Sequence, residues 1–297
     1  MAGGQERVLR GRIKSVKATR KITKAMELIA ASQIARSQAR IAANRPYRQG
    51  MQRIIAEAAL GDPAAARKLL ATPDSVENAI VLVICGDRGL SGAYNSSALR
   101  AGERLVNSLR AQGTKVQIYT VGKKAAPYYR FRGFTVADSF TGFSDKPTFA
   151  DARVVADAIA APFVAGDVQQ VMLVSTRFVS AGQQVVESAQ LLPLTMNEDV
   201  LPAPTTGLKG YTEFEPEVEQ LLAELAPKAL ESEIFSALLE GAASFHTSQQ
   251  RAMAAATDNA DELAQNLTRV MNRARQDSIT TEIMEIVGGA EALRSGK

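Results

Sequence analysis

One cysteine, one histidine and no tryptophan occur in 297 residues, and aromatic residues make up only 5%. Each scarcity removes a class of function. A lone Cys85 forms no internal disulfide and no clustered thiolate metal site. A lone His246 excludes His-rich metal sites and leaves imidazole-based catalysis without material. Few aromatics and abundant alanine suit closely packed helices better than a deep ligand pocket. No apolar run reaches about eighteen residues, so nothing reads as a membrane-spanning helix. The polar, basic start lacks the apolar core of a secretory signal. Helix breakers are scarce at both ends. Residues 5–58 contain one proline, Pro46, and two glycines, Gly11 and Gly50. Residues 228–287 contain no proline and one glycine, Gly241.

What is present is organised around those two ends. Residues 216–293 read as a long helix opening at Pro216, with Pro227 about three turns in, where a kink or break is expected. Unbroken, it would run on the order of 110–120 Å at 1.5 Å per residue. That exceeds any single domain this chain could build, so its apolar stripe needs a partner outside the body. The first residues supply one: Leu9, Ile13, Val16, Ile22, Met26 and Ile29 fall mostly three or four apart, drifting enough to use two faces in turn. Charge supports the pairing. Residues 1–58 hold 13 Lys/Arg and 3 Asp/Glu, whereas residues 211–297 hold 7 and 15. Two long helices of opposite sign predict an antiparallel coiled coil of the N- and C-terminal segments.

The middle alternates strand and helix. AIVLVIC at 79–85 is a solid apolar run, the mark of a strand buried on both faces. Further strands are expected at 115–121, near 134–136, at 168–179 and at 183–194. Helices are expected over 95–112, 125–130 and 148–164. The pattern gives an open α/β, Rossmann-like sheet domain of about five strands. The predicted division is a helix over 1–58, a linker with a short helix over 59–78, a body over 79–210, and a helix over 211–297 after a connector at 195–216.

Candidate chemistry is sparse. The loop Cys85-Gly-Asp-Arg-Gly-Leu-Ser-Gly-Ala-Tyr-Asn95 lies between a strand and a helix, where phosphate-binding loops occur. Its glycines, Gly86, Gly89 and Gly92, are spaced G-x-x-G-x-x-G. A dinucleotide fingerprint needs G-x-G-x-x-G, and a P-loop needs Lys-Ser/Thr after its last glycine. The competing reading is a tight turn whose Asp87 and Arg88 make structural or partner contacts. Cys85 reads as a core thiol and His246 as a solvated or interface side chain. The N-terminal basic run, Arg7 to Lys24, could track a phosphate backbone. Its charge wraps around the helix beside an acidic helix of the same chain, which favours helix pairing or an acidic protein partner. Near the end, Ile279, Ile283, Ile286 and Val287 form one apolar face, preceded by the polar forks of Asn272-Arg-Ala-Arg-Gln-Asp277.

Four stretches carry a resemblance. I-T-x-E-x-x-E-x-x-x-G-A at 279–290 resembles the C-terminal signature of the gamma subunit of F-type ATP synthases. Arg12-Ile-Lys-Ser-Val-Lys-Ala-Thr-Arg-Lys-Ile-Thr-Lys-Ala-Met-Glu-Leu-Ile-Ala-Ala-Ser32 resembles that family's N-terminal helix. Asp87-Arg-Gly-Leu-Ser-Gly92 resembles its loop after the first strand, and Ala254-Ala-Ala-Thr-Asp-Asn259 its mid-helix run. The likeness runs end to end and in order.

The resemblance implies a central-stalk rotor, coupling proton-driven rotation of a membrane c ring to conformational cycling of a catalytic ring of three alpha and three beta subunits. It implies contacts with the epsilon subunit and the c ring through the body. It implies a peripheral place on the cytoplasmic face of the bacterial plasma membrane, with no catalytic site, cofactor, metal or nucleic acid of its own. By position, Met26 falls where the family meets the acidic lever loop of beta, and Arg275 and Gln276 where it bonds the beta catch loop; by charge, Lys21 and Lys24 would meet beta carboxylates. Ile283, Ile286 and Val287 fall at the bearing tip, and Asp87, Arg88, Gly89 and Gly92 in the body loop. Plant-type members carry a redox-active cysteine pair, which a chain with only Cys85 cannot form. Some members carry an extra loop near Gly166, where only a short turn is expected. The alternative is a basic coiled-coil adaptor with a nucleotide-sensing α/β domain.

Overall fold

A computed structural model describes residues 2–62, 75–194 and 214–295, excluding the side chains of 2–4, 293 and 295. In chain order the elements are α1 (Ala2–Gly61), β1 (Asn78–Ile84), α2 (Tyr94–Ala111), β2 (Lys115–Val121), α3 (Ala125–Phe131), β3 (Val136–Phe140), α4 (Phe149–Val164), β4 (Gln170–Phe178), β5 (Gln184–Leu192) and α5 (Val218–Ser295). The predicted short linker helix and the 195–213 connector lie outside the described residues. The chain divides into two units, residues 1–29 with 250–297, and residues 30–249.

The second unit holds a five-stranded sheet in the order β3-β2-β1-β4-β5. The first four strands run parallel and β5 returns antiparallel beside β4. β1 is central, with Val81 opposite Ile118 on one side and Met172 on the other. Strand side chains alternate faces, so this one apolar run feeds two cores. Ile80, Leu82 and Ile84 meet α4 through Val155 and Ile159, and α5 through Leu230, Ile234 and Leu238. Ala79, Val81 and Val83 meet α2 through Leu99 and Val106, and α3 through Tyr129. Full burial of each such aliphatic side chain contributes about 1.5–3 kcal/mol. α4 starts where Thr148 caps the Asp151 amide and Asp151 bonds back, a reciprocal capping box.

β3 begins at Val136, later than the expected 134–136. Phe134 packs edge-on against Tyr129 at 5.9 Å, with the Arg110 guanidinium over its ring at 5.1 Å. It plugs the core from the turn, and the strand starts beyond it. α5 runs through Pro227 without a break, and α1 through Pro46.

In both units the long helices pair antiparallel. Within residues 30–249, Arg48 forks onto Glu233 at 3.0 and 2.7 Å, and the Gln52 amide reaches the same carboxylate at 2.6 Å. Within the other unit, the Thr23 and Thr257 hydroxyls meet at 2.8 Å and Arg20 pairs with Asp261. The buried face of α1 repeats every seven residues: Leu9, Thr23, Ala30, Ser37, Met51 and Ala58, with Val16 and Asn44 half-buried. The α5 face steps by four and three through Met253, Thr257, Ala260 and Ala264 to Ser278. These are coiled-coil spacings, and they correct the predicted seam. Ile22 and Ile29 point outward, one residue short of the buried Thr23 and Ala30.

Candidate interaction site

The glycine-spaced loop after β1 is tied into its own domain at Gly86, Asp87 and Arg88. The Asp87 carboxylate accepts from the amides of Lys123 at 3.0 Å, Gly142 at 3.0 Å and Ser144 at 3.1 Å, and from the Ser144 hydroxyl at 2.9 Å. Burial raises its pKa, but the donated hydrogen bonds outweigh that and hold it below the ordinary value. The Asp87 amide donates to Ser144 Oγ at 2.8 Å and the Gly86 amide to Asn95 Oδ1 at 2.8 Å. A phosphate cradle needs such amides free, and here both are taken. Arg88 pairs with Asp145 at 3.2 Å. The loop therefore splices the ends of β1, β2 and β3. Gly122 makes this possible: at φ +96° its Cα passes so close to Cys85 O that a Cβ would lie 2.3 Å away. Gly89 sits half-buried in the same loop, and Gly92, at φ 54°, is exposed.

Burial pushes the Cys85 thiol up to about 12, so it is an inert core group. His246 is buried rather than solvated, its pKa lowered by that burial, with Nε2 3.4 Å from the Asp145 carbonyl. Among the described residues no His, Cys, Asp or Glu group is arranged to hold a metal, and no helix is long and apolar enough to cross a membrane.

The outward face of the helical pair is where apolar surface is left open. Lys21 and Lys24 are exposed and Met26 is half-buried; Lys24 Nζ lies 3.0 Å from Glu27. Ile22, Leu28 and Ile29 project beside them, each about three-fifths exposed. Leu28 escaped the sequence reading; its position off the seven-residue repeat was the available signal. On α5, Leu263 and Val270 are likewise open. Arg275 and Gln276 are exposed. Counting outward from the Thr23–Thr257 pair, residue 2 comes level with Ser278, the last buried position of α5. From Ile279 onward every described side chain is exposed, including Ile283, Met284, Ile286 at 72% and Val287. Such contiguous apolar surface marks an interaction site.

Two antiparallel end helices with open apolar flanks, joined to a doubly covered α/β body, define a stalk-type subunit of a larger assembly. The sequence profile of the ATP synthase family matches residues 5–293. The ATP synthase gamma chain of a Parafrankia species is 48% identical over 297 residues, covering 99% of both chains. That of Streptomyces avermitilis is 44% identical over 296 residues, covering 98% of this chain and 97% of its own. The chain belongs to the ATP synthase gamma-chain family. The same fold appears in the mitochondrial ATP synthase of Euglena gracilis, solved with its F1 and c-ring portions, at a TM-score of 0.68 and 18% identity over 99% of this chain and 96% of that one. It also appears in the central stalk and c-ring structure from Tetrahymena thermophila, at 0.62 and 24%, covering 79% and 99%.

Proposed function

We infer that the chain is the central-stalk rotor of an F-type ATP synthase. The end segments, residues 1–58 and 211–297, form the shaft through the paired helices α1 and α5, and the body over 79–210 grips the driver. The observation that carries this is the open apolar surface of the shaft: Ile22, Leu28 and Ile29 on α1, and the tip from Ile279 to Val287 on α5. A helical rod keeps such side chains dry only inside a surrounding partner.

In this reading Lys21, Lys24 and Met26 face the acidic lever loop of beta, and Arg275 and Gln276 its catch loop. Ile283, Ile286 and Val287 turn in the apolar bearing of the alpha–beta ring. Each polar contact must break and re-form at every step, and exposed pairs worth about 0.2–1 kcal/mol suit that duty. The Asp87–Ser144 splice keeps the body rigid, so torque entering there reaches the shaft instead of deforming the sheet. The chain supplies asymmetry and rigidity, and the bond chemistry of ATP belongs to other subunits. The body meets epsilon and the c ring, peripheral to the cytoplasmic face of the membrane, with proton flow as the drive.

Reconstitution separates this from the adaptor reading. Alpha and beta assembled with this chain should hydrolyse ATP far faster than alpha and beta alone, while the isolated chain binds neither nucleotide nor DNA. Salt-dependent DNA binding by the isolated chain, with no stimulation of the ring, would reverse the conclusion.

A further inference from the structure

We propose that the outer face of α2 and α3, around Arg100, Arg104, Arg130, Arg132 and Phe131, docks a carboxylate-rich segment of a protein partner. Residues 88–137 hold nine Lys/Arg and a single acidic residue, Glu103. The rest of 59–210 holds six Lys/Arg and twelve Asp/Glu, so the near-neutral total of the body conceals a strongly basic block. The fold gathers much of that block on one side of the sheet, because α2 and α3 cover the same core.

Glu103 fixes the arrangement. It accepts from the Tyr128 hydroxyl at 2.6 Å and from Arg132 at 2.6 Å, which brings the end of α3 against the middle of α2. The block's one carboxylate is thereby consumed. Arg100 and Arg104 flank it on α2 and Arg130 follows on α3, all exposed, and among the described residues none of the three has an ion-pair partner. Phe131 stands between Arg130 and Arg132 with 89% of its surface exposed. It buries almost nothing in its own chain.

An exposed aromatic side chain on a helix end rich in arginine has the composition of a protein–protein hot spot. Planar guanidinium forks match carboxylates in a bidentate way that a point-charge ammonium does not. An anionic lipid surface draws Lys and Arg alike. Here six of the nine basic residues are arginine, and beside Arg100, Arg104, Arg130 and Arg132 on α2 and α3 Phe131 is the large apolar side chain left exposed, too little to anchor in a bilayer. The block therefore favours an acidic protein surface.

The assembled ATPase carrying Phe131→p-benzoylphenylalanine tests the proposal. Ultraviolet light should join position 131 to one Asp/Glu-rich segment of one subunit, mapped by mass spectrometry. Adding R100E/R104E/R130E should cut the adduct about tenfold, since like charges at an interface repel on that scale or more. R100Q/R104Q/R130Q, gentler on folding, should give an intermediate loss. An assembled enzyme that yields no adduct, or an adduct on phospholipid or on a segment without carboxylates, overturns the docking surface and leaves the shaft reading intact. Cosedimentation of the free chain with phosphatidylglycerol vesicles that the triple Gln variant abolishes would likewise overturn it, in favour of lipid.

Discussion

Asp87 shows how much one side chain in this body is asked to hold. Its carboxylate collects three backbone donors from two separate loops, Lys123 after β2 and Gly142 and Ser144 after β3. In Asp87→Asn only one oxygen remains to accept, and an amide donor is turned toward amide donors. The loss should be about 0.5–1.5 kcal/mol at neutral pH, the range for the net contribution of a hydrogen bond that is partly open to solvent. Its pKa is depressed in the folded chain, so its contribution is complete above the ordinary carboxylate value of 3.8 and fades as pH falls through the lower folded value. Urea unfolding of wild type and Asp87→Asn should therefore show a gap at pH 7 that narrows toward pH 3. A gap of equal size at both would mean that the negative charge plays no part. The same residue marks what the sequence made legible. Asp87 and Arg88 in a tight strand-to-helix turn were readable as structural, because the glycine spacing matches neither the dinucleotide fingerprint nor the P-loop. The donors Gly142 and Ser144 were not readable, being brought in from more than fifty residues away.

At the scale of elements, continuous patterns were read correctly and interrupted ones were displaced. β1 was plain because both of its faces are buried. β3 was shifted because Phe134 serves the core from a turn. The helix seam was assigned to Ile22 and Ile29 because apolar residues ordinarily mark the buried stripe. Here the seven-residue repeat places Thr23, Ala30 and Ser37 inside. Small side chains at those positions let two helices approach closely, and the large ones turn outward for another surface. The tip of α5 follows the same logic. Beyond Ser278 it makes no buried contact among the described residues, so it should contribute nothing to the chain's own stability. Deleting the residues after Ser278 should leave the thermal midpoint of the free chain unchanged within error. In the assembled ATPase the same deletion should reduce torque, measured by single-molecule rotation, more than it reduces copurification with alpha and beta. Equal losses of both would remove the bearing assignment.

For the molecule as a whole, burial is unevenly shared between the two units. Residues 30–249 contain the central strand and both sheet cores. The unit formed by residues 1–29 and 250–297 buries mainly Leu9, Ile13, Met253 and a few alanine and hydroxyl side chains. Its charges, strongly basic over residues 1–29 and nearly balanced over residues 250–297, with six Lys/Arg against seven Asp/Glu, add little, because exposed ion pairs are weak and screened. Opening free energy follows buried apolar contact, so the two units should open separately. Hydrogen exchange on the free chain should show the amides of residues 5–29 and 250–278 exchanging through a partial opening, at least about tenfold faster than those of β1, which exchange only on global unfolding. Inside the assembled ATPase, Ile22, Leu28 and Ile29 would gain the covering they lack, and protection there should rise toward that of the sheet. A rod equally protected in the free chain, or unaltered by assembly, would mean its stiffness is intrinsic. A rise confined to the assembled state would mean that the sleeve in which the shaft turns also makes it stiff enough to transmit torque.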